Sequence, residues 1–168
     1  PYTETTQTKS SASCLYEVTY GFPALTLAQM DLIKSVSDKF GTDDLVMELF
    51  RPFDATVTSG SILVGTGAAV KSVPVTNVNS GYAPKAGRFA SISTGGRWYL
   101  YALGADSAAG ATSRTFTLAN DIRAAHVNGD SVAMERAYIQ GDAIFNEGSN
   151  SSSNQYWEGA TLTIRETR

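Results

Sequence analysis

The feature that most constrains the fold of this chain is a series of short segments in which apolar and polar residues alternate, separated by glycine-rich turns. Residues 88–93 and 98–103 flank Thr94-Gly95-Gly96, which is the spacing of a β-hairpin with a compact turn. Residues 112–118 and 160–166 alternate in the same way, and a period of two residues indicates strands. Closely spaced strands of this kind predict a mainly β fold, an antiparallel β-sandwich or barrel that is jelly-roll-like.

Further strands are predicted where apolar residues cluster between residues that break regular structure. Tyr16, Val18 and Tyr20 alternate with polar neighbours, and Gly21 follows them. Other apolar segments end before Pro52 or Gly65. The predicted strands of this group are 15–20, 45–50, 62–64 and 73–78.

One N-terminal amphipathic helix is predicted over residues 27–40. Thr26 and Gln29 have the spacing of a capping box, in which two side chains satisfy free amides of the first turn. Gly41 follows as a stop, because glycine tolerates the positive φ of a helix end. The apolar residues recur every three or four positions, so we expect them to pack on a sheet along one helix face. They are Leu27, Met30, Ile33, Val36 and Phe40.

Two similar sequences, Val127-Asn128-Gly129-Asp130 and Ile139-Gln140-Gly141-Asp142, follow one another closely. Asn-Gly favours a two-residue hairpin turn, so the repeat predicts two turns joined by a strand at 132–139. In the alternative interpretation Asp130 and Asp142 share a calcium ion, which takes oxygen ligands, although two isolated aspartates are few for such a site.

Size and composition indicate one folded domain over residues 14–168. The chain has 168 residues, of which 42% are hydrophobic, as in globular proteins. Residues 1–13 are polar and cannot bury enough surface to fold alone, so we expect a flexible N-terminal arm. Residues 1–25 lack the basic and apolar regions of a signal peptide, and no apolar run reaches membrane-spanning length. We therefore expect a protein that is made in a cytoplasm and has no membrane partner.

The net charge of −3 disfavours a nucleic-acid partner, which normally requires a basic protein. The charge is unevenly spread: residues 55–120 carry five basic and one acidic group, residues 14–54 three and seven, and residues 121–168 four and seven. One interpretation is that strands interleave in space and average this bias. The other is that a basic face meets an acidic face on a neighbouring copy.

Residue types that carry catalysis are scarce. His126 is the only histidine and Cys14 the only cysteine, too few ligands for a zinc site and too few thiols for an internal disulfide. Gly65-Thr66-Gly67 does not continue into a nucleotide-binding motif, and G-x-S-x-G is missing. We therefore predict no enzyme, no cofactor and no metal site, and we expect His126 to lie at the surface. A glycosidase-like pair among the sixteen acidic residues stays open as an alternative.

Aromatic residues on one predicted strand raise a binding function. Trp98 alternates with Tyr99 and Tyr101, so one set should face the core and the other should be half-exposed. The rings then either fill two buried faces or stack on sugars, which gives a carbohydrate-binding or receptor-binding β-sandwich as an alternative. A Ser/Asn-rich loop at 146–155 ends at Tyr156-Trp157, which is a candidate contact.

The polar arm, a β domain rich in Ser, Thr, Ala and Gly, few lysines, an acidic net charge and an alternating C-terminal strand occur together here. In these compositional features, which cover the whole chain, the protein resembles virion structural proteins of tailed phages, chiefly capsid decoration (cement) proteins and, second, tail-tube proteins. The resemblance implies a virion protein that stabilises a shell through subunit contacts, as a trimer or ring bound to the major capsid protein or other virion proteins. Tail-tube proteins stack as hexameric rings instead.

Assembly is favoured because catalytic signatures are missing and aromatic residues are enriched in interface cores. We expect the arm, the 146–157 segment and part of the Tyr99/Tyr101 face to form contact surface. The predicted interface residues are Pro1, Tyr2, Thr3, Thr5, Thr6, Tyr99, Tyr101, Tyr156 and Trp157.

Overall fold

Antiparallel strands dominate the computed structural model, which describes residues 5–9, 15–40, 45–49, 59–150 and 156–167, with the backbone alone at 5–9, 40 and 150. Over these ranges the chain is mainly β, with three antiparallel sheets and one helix. The mainly β class predicted from the alternating segments is therefore confirmed.

The helix and most of the predicted strands are present, and the structure adds short strands that the sequence did not predict, one of them within the predicted loop at 146–155. The helix α1 spans Leu27–Phe40. The strands in chain order are β1 (Thr5–Lys9), β2 (Tyr16–Gly21), β3 (Leu25–Thr26), β4 (Leu45–Glu48), β5 (Ile62–Val64), β6 (Ser72–Thr76), β7 (Phe89–Thr94), β8 (Arg97–Ala102), β9 (Arg114–Thr117), β10 (Ser131–Ala133), β11 (Tyr138–Asn146), β12 (Ser149–Asn150), β13 (Tyr156–Glu158) and β14 (Thr161–Glu166).

The chain divides into two compact units. Unit 1 comprises residues 1–46 and 139–168, and unit 2 comprises residues 47–138. The predictions of one domain over 14–168 and of a flexible arm over 1–13 stay predictions. Of the arm, residues 5–9 form β1, and its other residues lie outside the described ranges.

A five-stranded sheet in the order β1-β2-β14-β11-β4 runs through unit 1. Its register pairs Leu162 with Tyr20 and Ile164 with Val18, so buried side chains of neighbouring strands stand on the same face. The alternation of β2 between buried and half-buried residues is the period-two pattern that the sequence predicts.

The helix begins at the predicted capping box. The Thr26 amide donates to Gln29 Oε1 at 2.9 Å, and the Gln29 amide donates to Thr26 Oγ1 at 3.4 Å, so each side chain satisfies a free amide of the first turn. Met30 is buried against Leu25 and Ala160, with Ile33 and others packed around them.

The predicted apolar stripe of α1 is only partly buried. Met30 and Ile33 face the cluster, whereas Leu27 is 60% exposed and Val36 lies at the surface. The prediction that the whole stripe packs on a sheet was wrong for these two residues. The buried arc includes Ser37 instead, because it lies one turn beyond Ile33 on the same face. The side chain of Phe40 lies outside the described part.

Unit 2 is built on a six-stranded sheet in the order β8-β7-β10-β5-β6-β9. The β7–β8 hairpin turns at Gly95 and Gly96, whose φ values of 60° and 84° require residues that tolerate the left-handed region. One apolar cluster fills the unit, and its largest fully buried members include Ile62, Ile92, Tyr101, Leu103 and Met134.

The two outermost strands of this sheet are joined just beyond their ends. Leu103 and Leu118 form an isolated antiparallel bridge. On either side of it, the Gly104 amide donates to the Thr117 carbonyl and the Ala119 amide donates to the Ala102 carbonyl, both at 2.8 Å. The backbone groups at these ends of β8 and β9 are therefore paired with each other.

The predicted pair of hairpin turns is wrong at its second member. Gly141 lies inside β11, which runs without interruption from Tyr138 to Asn146, and β10 ends at Ala133. A Cβ atom at Gly141 would overlap the carbonyl group of Arg165 on β14, so this glycine serves a close approach of two strands. The first turn exists at Gly129, with a φ of 95°, but no strand immediately precedes it within the described 119–130 segment.

Candidate functional site

The predicted interface residues are spread over both units. Pro1, Tyr2 and Thr3 lie outside the described residues. Thr5 and Thr6 belong to β1 at the edge of the five-stranded sheet, where Thr5 pairs with Tyr20 across to β2. The role of these residues in contacts stays a prediction.

Tyr156 and Trp157 occupy β13, next to the start of the helix. Tyr156 pairs with Thr26 and is 48% exposed. Trp157 pairs with Leu25 and packs on the cluster around Met30. Neighbouring residues of a strand point to opposite faces, so Tyr156 is available at the surface while Trp157 anchors β13 to the helix.

The helix adds further exposed apolar side chains to unit 1. Leu32 is 65% exposed and Val36 stands one turn further along. Residues four apart are neighbours on a helix surface, so the two form a small patch, which we call the α1 patch. Sequence reasoning missed Leu32, because its position falls outside the stripe that Leu27, Met30 and Ile33 define.

The Tyr99/Tyr101 face is mostly internal. Tyr101 is 0% exposed, and its hydroxyl accepts the Arg123 amide at 3.0 Å. Tyr99 is half-buried, and its ring packs against the His126 ring in a T-shaped arrangement, with the ring centroids 5.7 Å apart. Tyr101 therefore presents no side-chain surface to a partner of the folded unit.

A cluster of polar side chains surrounds His126 in unit 2. The Nδ1 atom lies 2.6 Å from Thr94 Oγ1, and the Nε2 atom lies 2.8 Å from the Tyr101 hydroxyl. The Thr94 hydroxyl in turn donates to Asp130 Oδ2 at 2.5 Å. The expectation that His126 lies at the surface was wrong: its side chain is 0% exposed, and the hydrogen bonds of both ring nitrogens inside the protein offset the cost of burying them.

Two further contacts hold the loop that carries Asp130. The Val127 amide donates to the same Asp130 Oδ2 at 2.9 Å, and the Asp130 amide donates back to the Val127 carbonyl at 3.1 Å. The side chain of Asp130 is 13% exposed, so the carboxylate is largely committed to these internal donors.

The surroundings of His126 favour the neutral form of its imidazole. Burial lowers the pKa of the imidazole, and Arg123 lowers it further, while Asp130 at 3.9 Å from Nδ1 acts in the opposite direction. Desolvation disfavours the charged form of a buried base, and here it outweighs the carboxylate.

Arg123 supports the cluster from the side of Tyr101. Its guanidinium stands over the Tyr101 ring, 5.0 Å from the centroid, and donates to the Leu100 carbonyl. This places a cation on the ring face, where the π-electrons attract it. The loop from Arg123 to Asp130 is therefore attached to the β7–β8 hairpin at both ends.

Among the described residues, no group of three or more His, Cys, Asp or Glu side chains stands close enough to hold a metal ion. The helix of the described part is not long and apolar enough to cross a membrane. Cys14 lies outside the described ranges.

Comparison with known proteins adds no assignment. No protein-family model matches this chain, and the search of curated proteins gives no match.

Proposed function

We propose that this chain is a structural protein that binds other protein subunits, and in particular a capsid decoration (cement) protein of a tailed-phage particle, made in the host cytoplasm. The observation that supports this proposal most directly is a group of exposed apolar side chains on or beside the helix of unit 1: the α1 patch, Leu27 and Tyr156. Apolar side chains lose contact with water when a partner covers them, which favours association.

The charges of the two units support contact between copies. Unit 1 contains five basic and ten acidic residues, a net −5, and unit 2 contains eight basic and six acidic residues, a net +2, which together give the −3 of the whole chain. Complementary potentials favour the docking of unlike surfaces. We therefore propose a trimer or ring in which unit 1 of one copy contacts unit 2 of the next, with the major capsid protein as a second partner.

The six-stranded sheet of unit 2 suits a rigid scaffold. We propose that it forms a closed barrel, the barrel form of the predicted sandwich or barrel, and the Leu103–Leu118 bridge supports this. The interior of a small closed barrel is filled by side chains. In this proposal the apolar cluster of unit 2 fills that interior. The jelly-roll-like topology stays a prediction.

Light scattering of the full chain tests the proposal. We expect a mass of three or more copies at low salt. At high salt we expect a shift towards monomer, because screening weakens the attraction between the unlike charges of the two units on neighbouring copies. The double variant Leu32→Gln/Val36→Gln should also shift towards monomer. Ile144→Gln is the matched control, because it replaces an exposed apolar residue of unit 1 that lies outside the proposed contact residues and should leave the mass unchanged.

The masses also separate the alternatives. A six-copy ring that stacks end to end would favour the tail-tube function over the decoration function. A chain that stays monomeric alone and does not bind phage capsids lacking it would contradict assembly. Affinity of that monomer for a glycan, lost in Tyr156→Ala, would indicate the carbohydrate-binding alternative instead.

A further inference from the structure

The hydrogen bonds around His126 have a fixed direction, which follows from the chemistry of one end. The Thr94 hydroxyl donates to the Asp130 carboxylate, and a hydroxyl has only one proton to donate. Thr94 Oγ1 must then accept from His126 Nδ1, and this nitrogen carries the imidazole proton. The neutral ring leaves Nε2 as an acceptor, which receives the Tyr101 hydroxyl proton.

The hydrogen bonds at the Tyr101 end of this series run in the same direction. The Arg123 amide donates to the Tyr101 oxygen, so the order of donation is Arg123 to Tyr101 to His126 to Thr94 to Asp130. Every member donates towards the carboxylate, and the chain links the β7–β8 hairpin to both ends of the 123–130 loop. Hydrogen bonds arranged head to tail strengthen one another in a buried site.

We propose that these five residues form an acid-sensitive clasp, which holds the 123–130 loop on the β7–β8 hairpin while His126 is neutral and releases it when His126 takes up a proton. The clasp does not depend on the proposed function, because it concerns contacts within unit 2.

Protonation opposes the clasp in two ways. A proton on Nε2 turns this atom into a donor that points at the Tyr101 oxygen, so the Tyr101–His126 hydrogen bond must reverse and the phenol proton must turn away. The new positive charge also lies in a buried site beside Arg123. Asp130 attracts that charge, but its Oδ2 atom already accepts hydrogen bonds from the Thr94 hydroxyl and the Val127 amide.

The groups that face His126 from each side are few. Asp130 and Arg123 are the charged residues of its own loop, and Tyr99 and Tyr101 are the ionisable residues of β8 whose rings contact it. Arg97 lies further out, over the Tyr99 ring at 5.8 Å.

The lowered pKa of His126 makes stability depend on pH. In the unfolded chain the histidine titrates near pH 6.5, so below about that value the unfolded chain binds a proton at this residue more readily than the folded chain. The free energy of unfolding therefore falls as the pH drops below about 6.5.

Nitrogen NMR of the uniformly ¹⁵N-labelled full chain tests the direction of the hydrogen bonds. His126 is the only histidine, so its ring signals need no assignment. We expect a single neutral tautomer with the proton on Nδ1 at pH 7, and a titration midpoint below that of the urea-unfolded chain. A proton on Nε2, or a midpoint at or above the unfolded value, would overturn the proposal.

Asp130→Asn tests whether the carboxylate sets this direction. An asparagine amide can donate to Thr94, which frees the Thr94 proton for Nδ1, so we expect a mixture of the two ring tautomers. Asp121→Asn is the control, since Asp121 is exposed and pairs only loosely with Lys71 at 3.6 Å. A single Nδ1–H tautomer in both variants would contradict the role of Asp130.

Amide exchange tests the release of the loop. After correction for intrinsic rates, the Arg123 and Val127 amides, which donate to Tyr101 and Asp130, should lose protection between about pH 7 and pH 5, where histidine gains its proton. The Gly104 amide, bonded to Thr117, serves as an internal reference and should change much less. His126→Gln should abolish the pH effect if it folds; if it does not, an unchanged protection ratio in the native chain would still refute the clasp.

Discussion

Leu103 and Leu118 pair across the ends of β8 and β9, the two outermost strands of the six-stranded sheet. An open sheet leaves a row of unpaired backbone groups along each outer strand, and such edges attract other chains. The bridge pairs part of both edges within one unit. The backbone groups paired there are not available for pairing with the strand of another chain.

Gly104→Ala should weaken this junction. The added Cβ would lie 2.9 Å from the Leu118 carbonyl oxygen, so the backbone must shift and strain the pair of hydrogen bonds beside it. We expect a loss of about 1–3 kcal/mol in the free energy of unfolding, measured by urea denaturation. Ala105→Ser adds an atom at the exposed neighbouring position and should change stability by less than about 0.5 kcal/mol. Equal effects of both variants would show that the close approach is unimportant.

Gly141→Ala should be more damaging. The added methyl group would overlap the Arg165 carbonyl on the neighbouring strand, and backbone cannot move aside as a flexible side chain can. We expect at least about 3 kcal/mol of destabilisation, or a chain that does not fold. Ile144→Thr, at an exposed position of the same strand, keeps the β-branched shape and serves as the control. Circular dichroism and urea denaturation measure both, and a stable Gly141→Ala protein would disprove the close contact.

Arg114→Lys should loosen two loops of unit 2 at once. The Arg114 guanidinium donates to four backbone carbonyls, those of Asn79, Tyr82, Ala108 and Ala111. A lysine ammonium cannot reach all four, so we expect about 1.5–3 kcal/mol of destabilisation. Faster amide exchange at residues 79–82 and 108–112 would identify the loops affected.

The control for that substitution is Arg136→Lys. Arg136 is exposed and lies 3.7 Å from Glu48, an ion pair that water screens. Its replacement should leave stability within about 0.5 kcal/mol of the parent chain. If Arg114→Lys is tolerated as well as Arg136→Lys, the four hydrogen bonds of Arg114 contribute little to stability.

Thr26→Ala should fray the start of the helix. The substitution removes the hydroxyl that accepts the Gln29 amide, and the lost cap costs about 1 kcal/mol. Thr26→Ser retains the hydroxyl and should keep most of the stability. Thermal unfolding followed by circular dichroism at about 222 nm, which is sensitive to helix, compares the three chains. A difference on the order of 1 kcal/mol is resolvable for a domain of this size. No difference between alanine and serine would exclude a capping role.

Local sequence determined the elements whose physics is local. The capping box at Thr26 and Gln29, the Gly95-Gly96 hairpin and the alternation of β2 and β14 follow from interactions between near neighbours, and the structure contains all of them. The same reasoning failed where one residue type serves two purposes. Gly141 resembles a turn residue in sequence, but it is needed because Arg165 approaches it from a strand that lies far along the chain.

Tertiary structure alone decided the environment of the polar and aromatic side chains. His126 stands beside an Asn-Gly turn, and only the folding of the 123–130 loop against β7 and β8 buries it between Thr94 and Tyr101. Likewise, periodicity placed Val36 on a buried stripe, while packing left it exposed beside Leu32. Burial depends on which distant segments cover a residue, and a pattern of near neighbours carries no information about that choice.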